Sequence, residues 1–355
     1  MSHTIISHTV RRLAALALLV CAAASAQTAR AAGNCRLFQA NYKSNDVSVY
    51  DCNKPGAETR IATVPAGTAP YGIAADPSGR RVYVANHDSA NVTVIDTRYN
   101  TPFYTVQAGN TPFGVAVAPN GQRLYVTNFY SQDVSVYDIS SQNMGPMPQP
   151  ATIPVPGQPT GIAVTSDNHY AYVCLWSEGK VVVVDLPTRT IVNTITTSAS
   201  PTAVVISPDG KFVYVAHEFD YDVQWGSSIS VLNGADPVHG GVLHKWVLPT
   251  YSFPMAQLAL SANGRYLYVP CEGNGRVHMI DTETGQIVKT QFLGSGPIGA
   301  ALSPDNGRLF VTAESSNWLH VMNSASLAEL TPQPINVAPG LQPGPLVAID
   351  VPTCP

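Results

Sequence analysis

Charged residues are scarce in this chain. Only 12% of its 355 residues are Asp, Glu, Lys or Arg, about half the usual globular share. Coiled coils and long solvated helices, which are built from Glu, Lys and Arg, are excluded by that shortage. Excess positive charge is missing too. A net charge of −4 lacks the electrostatic footprint of a general nucleic-acid binder. No C-x-x-C or C-x-x-C-H occurs, which disfavours zinc ribbons and covalently attached c-type haem. No G-x-S-x-G elbow occurs either, so no Ser-His-Asp triad is inferred. No run of 18 uninterrupted apolar residues is present, and no transmembrane segment is expected. What the chain does have is a 45% hydrophobic fraction, ample for a core. Its 29 prolines and 27 glycines make it turn-rich, below the level that signals disorder.

The first residues read as an address. Arg11 and Arg12 precede an apolar run from Leu13 to Ala24 that is too short to span a bilayer. Small-residue A-x-A sites follow at Ala24-Ser25-Ala26 and Ala29-Arg30-Ala31. This order is that of a Sec-type signal peptide, over residues 1–31 with cleavage after Ala26 or Ala31. Residues flanking the arginine pair fit a twin-arginine signal poorly, and Val20 before Cys21 does not suit a lipoprotein site. The expected product is a periplasmic or secreted protein occupying residues 32–355.

A repeat organises the rest. PYGIAADPSGRRVYVANHDSANVTVID (70–96) and PFGVAVAPNGQRLYVTNFYSQDVSVYD (112–138) are its clearest copies. Pro70, Pro112, Pro159, Pro201, Pro254 and Pro297 anchor six copies at a period of about 40–50 residues. Each copy holds a short buried run, then two Val-, Tyr- and Thr-rich runs alternating with period two. Turn formers such as Pro77-Ser78-Gly79 separate the first two. A looser fourth run, such as 190–195, precedes the next proline. Four strands per such period is a β-propeller blade. The N-terminal LFQANYKSNDVSVYD (37–51) matches second and third strands without a first. The C-terminal PGPLVAIDVP (343–352) matches a first strand alone. Together they supply a seventh blade. The expectation is therefore an all-β, seven-bladed propeller of four-stranded antiparallel blades. N- and C-terminal strands sharing one blade close the ring and remove free sheet edges.

The segments Tyr83-Val84-Ala85-Asn86 and Tyr125-Val126-Thr127-Asn128 resemble the YVTN repeat family of bacterial extracytoplasmic propellers, over roughly residues 35–352. The resemblance implies the fold. For function it implies a range: surface-layer proteins, quinone-linked amine dehydrogenase heavy chains and lactonase-type enzymes. One fold hosting many functions is the general rule. PQQ dehydrogenases, with eight blades and repeated Trp motifs, match poorly. Only Asp281-Thr282-Glu283-Thr284-Gly285 has a faint likeness to them, and it reads better as a turn.

Five cysteines follow the leader: Cys35, Cys52, Cys174, Cys271 and Cys354. An oxidising compartment makes disulfides plausible. The hairpin register places Cys35 opposite Cys52, while Cys354 ends the strand that closes the same blade. A ring-closing bridge from Cys354 to Cys35 or Cys52 is favoured over the hairpin bridge, because closing a loop of about 300 residues restricts the unfolded chain more. Cys174 and Cys271 lie in blades that are not neighbours and read as buried thiols.

Propeller ligands bind at a channel mouth, on loops held by rigid blades. The loops after the second strands open with Asn41-Tyr42, Asn86-His87, Asn128-Phe129, Leu175-Trp176, His217-Glu218, Cys271-Glu272 and Ala313-Glu314. Aromatics gather in one sector and carboxylates in another. His87, Trp176, His217, Glu218, Glu272 and Glu314 are therefore candidate mouth residues. The copy anchored at Pro201 also carries a ten-residue loop between His217 and Ser228, against four residues between Asn86 and Asn91. Such one-face insertions often bind. Asp220 and Asp222 with Glu218 are candidate Ca²⁺ ligands. Tyr221 and Trp225 are candidates for stacking on a ring. His217 beside Glu218 invites an acid–base reading, although adjacent strand residues point to opposite faces.

The reading favoured overall is a monomeric, non-enzymatic binding or scaffold propeller, whose partner is a small molecule or an extracytoplasmic protein. Two alternatives stand beside it. One is a lactonase- or lyase-type enzyme working at the mouth with His217, Glu218 and a cation, for which only Lys43 and Lys180 are at hand. The other is a non-catalytic subunit of a periplasmic redox complex.

Overall fold

A computed structural model describes residues 34–352 except 141–148, 224–225, 255, 295 and 338–341. The leader, Trp225 and Cys354 lie outside the described residues. Seven four-stranded antiparallel sheets follow one another along the chain, as the repeat predicts. Blades 2 to 7 cover residues 70–107, 112–154, 159–196, 201–247, 259–292 and 297–336. Blade 1 is composite: the strand Pro343–Val351 lies inside Asn34–Asn41, followed by Asp46–Asp51 and Thr59–Pro65. Phe38 pairs with Val347 on one side and Val49 on the other.

The near-continuous apolar runs of the middle strands have a simple cause. Each blade is covered on both faces by its neighbours, so both sets of alternating side chains are buried. Val82 and Val84 pack towards blade 1 with Phe38, Val47 and Val49. Tyr83 and Ala85, from the same strand, pack towards blade 3 with Leu124, Val126 and Tyr137. The core is thus a ring of interblade layers. Each fully buried Val or Leu within it contributes about 1.5–3 kcal/mol.

The inner strands approach one another closely. A Cβ on Gly72 would lie 1.9 Å from the Phe113 carbonyl oxygen, and one on Gly114 2.3 Å from that of Thr160. No side chain fits there, which is why the repeat begins Pro-x-Gly in these blades. Threonine hydroxyls then stitch blade to blade. Thr127 Oγ1 donates to Thr160 O (2.6 Å), Thr160 Oγ1 to Pro201 O (2.9 Å), Thr202 Oγ1 to Pro254 O (3.0 Å) and Thr312 Oγ1 to Gly344 O (2.8 Å).

Two expectations need correction. The inner strand of blade 6, expected from Pro254 onward, is only Ala259–Leu260. Gln257 turns inward instead. Its backbone N–H donates to Ile298 O (3.2 Å), and its side-chain amide pairs with the Leu346 backbone at 2.9 and 3.1 Å. The favoured ring-closing disulfide is also replaced. Cys35 bonds Cys52 across the hairpin, with Cα atoms 5.0 Å apart. The register explains it, since Arg36 opposes Asp51 and the next pair outward is Cys35 with Cys52. A buried ion pair serves the closure as well: Arg308 Nη1 of blade 7 lies 2.8 Å from Glu58 Oε1 of blade 1.

Candidate functional site

One hydrogen bond recurs in all seven blades and builds the mouth. The first residue after each second strand, or in blade 5 the equivalent Glu218 within its longer strand Phe212–Asp220, donates its backbone N–H to the carbonyl of the residue before the anchor proline. The pairs are Tyr42 to Gln342, His87 to Ala69, Phe129 to Thr111, Trp176 to Gln158, Glu218 to Ser200, Glu272 to Phe253 and Glu314 to Gly296, at 2.6–3.2 Å. Each donor follows a buried residue and is itself half-buried. Its side chain therefore stands at the mouth while its predecessor is locked in the core. Going round the ring, blades 1 to 4 present Tyr, His, Phe and Trp, and blades 5 to 7 present three Glu.

The preceding position explains the asparagine of the repeat. Asn86 Nδ2 donates to Asn91 Oδ1 (2.7 Å) and Thr93 Oγ1 (2.9 Å), and Asn41 and Asn128 repeat this with Asp46 and Ser48, and with Asp133 and Ser135. It pins the hairpin that carries the mouth loop. His217 occupies the same position in blade 5. It is fully buried, with Nε2 2.9 Å from Ser230 Oγ. Burial pushes its pKa down to about 4, so it is neutral at ordinary pH. His217 is a hairpin pin, and the structure does not place it beside Glu218 in the mouth. The acid–base pair expected from the sequence is not formed, because the two side chains point to opposite faces.

The mouth opens on a cavity of about 420 Å³, lined by Tyr42, Tyr71, His87, Phe113, Phe129, Trp176, Glu218 and Glu314, with Thr160, Thr202, Ile298, Gln342 and Gly344 completing it. Tyr71 and Phe113 were missed in the sequence because they read as the start of a buried strand. Their signal is the position immediately after the anchor proline, a second ring that lies inside the first. The rings form a continuous aromatic arc. Tyr71 to Phe113 is 4.7 Å, Phe113 to Phe129 6.3 Å and Phe129 to Trp176 6.2 Å between centroids. Tyr42 meets Tyr71 and His87 edge-on at 6.4 and 6.0 Å.

The carboxylates face this arc. Trp176 Nε1 donates to Glu218 Oε2 at 3.0 Å, joining the two sectors. Burial raises the pKa of all three glutamates, and charge repulsion adds to it between Glu218 and Glu272 and between Glu272 and Glu314. Lys43 offsets part of the rise at Glu314. Burial also pushes the Tyr71 phenol up, followed by the charges of Glu314, Glu272 and Glu218. The fields of all three carboxylates thus converge on the aromatic side. His87 Nδ1 lies 2.5 Å from Asp88 Oδ1.

The inserted loop of blade 5 goes elsewhere. Its hairpin is extended, with Phe212–Asp220 paired to Gly226–Asn233. Asp220 and Asp222 both hold Lys245 Nζ, at 2.7 and 2.8 Å, and Lys245 stands on the outermost strand, Val242–Val247. Phe219 packs on Phe253 at 5.3 Å, and Tyr221 is 85% exposed. Asp220, Asp222 and Glu218 are therefore not brought together as Ca²⁺ ligands. Among the described residues no group of three or more His, Cys, Asp or Glu is placed to hold a metal ion. Cys174 and Cys271 are buried free thiols whose pKa burial pushes up.

Fold and mouth together define a seven-bladed propeller with an aromatic and acidic cup at one end of its channel. The chain belongs to the YNCE-like beta-propeller family, whose model matches residues 6–342. No curated protein matches it. Among solved structures it is similar to hydrazine synthase of Kuenenia stuttgartiensis, with 26% identity over 72% of this chain and 76% of that one and a TM-score of 0.61. It is similar in fold to the periplasmic gluconolactonase of Pseudomonas aeruginosa, with 21% identity, 90% and 99% coverage and a TM-score of 0.71. A putative 6-phosphogluconolactonase of Bacteroides fragilis shares the fold at 17% identity, 91% and 99% coverage and a TM-score of 0.75.

Proposed function

We propose that this protein is a non-catalytic, extracytoplasmic binding module that takes a small molecule into the cup at its channel mouth. The observation that carries this reading is the sevenfold N–H-to-carbonyl template, which holds four aromatic and three acidic side chains at the mouth, all but Glu272 of them lining one cavity. A rigid scaffold presenting an apolar pocket with a few convergent polar groups is the usual form of a small-molecule site. The Cys35–Cys52 bridge supports an oxidising location, since structural disulfides persist outside the cytoplasm. The lactonase reading has weaker support. His217, its proposed base, is buried outside the mouth, and among the described residues no Lys or Arg lines the cavity to meet an anionic sugar acid.

The test is native mass spectrometry of the protein taken from the extracytoplasmic fraction of its own cells, beside a Phe129→Ala/Trp176→Ala variant. A small-molecule adduct on the parent that is lost from the folded variant is the expected result. A bare chain in both, together with hydrolysis of gluconolactone well above background, would overturn the reading.

A further inference from the structure

Half of the mouth is aromatic and the other half is acidic, and that division restricts the ligand's chemistry. This step rests on the binding reading above. The arc Tyr71, Phe113, Phe129 and Trp176 offers ring faces and edges 4.7–6.3 Å apart, suited to a flat or apolar body. Opposite it, Glu218 and Glu314 line the cavity, and Glu272 acts electrostatically on Glu314 and is itself acted on by Glu218. Among the described residues no Lys or Arg lines the cavity, so these three half-buried carboxylates have no counter-charge inside it. Lys43 is exposed and reaches only Glu314 among them. His87 is on the aromatic side, held by Asp88.

We propose that the cup receives an organic cation, an amine with an aromatic or apolar body, whose ammonium group sits against Glu218 and Glu314, with Glu272 adding its field from the rim, while its body lies on the arc from Tyr71 to Trp176. Three physical effects favour this ligand together. The ammonium supplies the missing counter-charge and donates to carboxylate oxygens. Its positive charge is attracted to ring faces, Trp above all. The body displaces water from the apolar half of the cup. An anion of the same shape meets repulsion from three carboxylates, and a neutral analogue gains only the last effect. Trp176 has a double part. Its indole N–H holds Glu218 in place while its ring remains part of the arc.

The experiment is calorimetric titration of the folded protein with three molecules that share one ring and differ in charge: phenethylammonium, 2-phenylethanol and phenylacetate. Phenethylammonium is expected to bind at least tenfold more tightly than 2-phenylethanol, and phenylacetate not measurably. Glu218→Gln/Glu272→Gln/Glu314→Gln should bring the amine's affinity down to that of the alcohol and leave the alcohol unchanged. If the triple variant does not fold, Glu314→Gln alone should still lower amine affinity severalfold at unchanged alcohol affinity. Equal binding of alcohol and amine, or tighter binding of phenylacetate, overturns the charge assignment and leaves the binding module standing. Ca²⁺ competing with the amine at the same glutamates overturns it in favour of a metal. No binding of any of the three overturns it too, and the native adduct described above then tells whether the module reading falls with it.

Discussion

Single side chains divide here by one step in sequence. At the end of each second strand, the buried residue pins the hairpin and the next one serves the mouth. Histidine beside glutamate invites an acid–base reading, yet the place of His217 in the repeat is that of Asn41, Asn86 and Asn128. Read by position it has a structural role, and His217→Asn should keep Tm nearly unchanged. His217→Ala leaves Ser230 without its partner and opens a small cavity, at a cost of about 1–3 kcal/mol, readable in a urea melt. The mouth glutamates carry a cost of another kind. Their folded pKa values are raised above the ordinary 4.5, so ionising them disfavours the fold. The penalty is present above the folded pKa values and vanishes below the unfolded one. The triple Gln variant should therefore melt above the parent at neutral pH. That gap should close as pH falls to about 4, which scanning calorimetry across pH can follow.

Strands and hairpins were the most legible level, because period-two alternation and a fixed turn chemistry repeat in every copy. The hairpin found pairs Asn86 with Asn91 across its four-residue loop, and the equivalent pairing in blade 1 is Asn41 with Asp46. The same arithmetic set Cys35 opposite Cys52. A loop-entropy argument then drew the pairing towards Cys354, but entropy acts only on cysteines that can meet, and the hairpin brings these two together first. Replacing both by alanine should lower stability by about 3 kcal/mol, the entropy of a closed loop this short, measurable as a lower urea midpoint. Where the repeat is irregular, legibility failed. The inner strand of blade 6 is shortened because Gln257 is drawn into the channel, and no local pattern marks that long-range pairing with Leu346. The blade 5 insertion drew attention through its carboxylates, yet Lys245, two strands away, claims Asp220 and Asp222. Lys245→Met should unsettle this loop, raising hydrogen exchange across residues 220–223 while leaving exchange at the mouth hydrogen bonds unchanged.

Over the whole molecule, stability is shared among interblade layers, and the composite blade is where the ring is most exposed to damage. The pairing of Pro343–Val351 with Asn34–Asn41 and the buried Arg308–Glu58 pair act at the same seam. Glu58→Ala strands a guanidinium that is nearly fully buried and should cost about 3–5 kcal/mol, far more than loss of an exposed pair such as Lys211–Asp209. Thermal melts of the two variants side by side check this. The count of blades was legible because two half-repeats at the ends are complementary. The mouth was legible as a ring of entry residues, but its inner ring of Tyr71 and Phe113 was not, since a residue that begins a buried strand gives no local sign of facing a channel. Closure also sets an order of events in biosynthesis. The strand Asn34–Asn41 leaves the ribosome among the earliest, and its inner neighbour Pro343–Val351 is made about 300 residues later, so blade 1 is completed only after synthesis of all the others. Until then the Tyr42 N–H lacks the Gln342 carbonyl that holds it, and the sevenfold template of the mouth is complete only once Pro343–Val351 has docked.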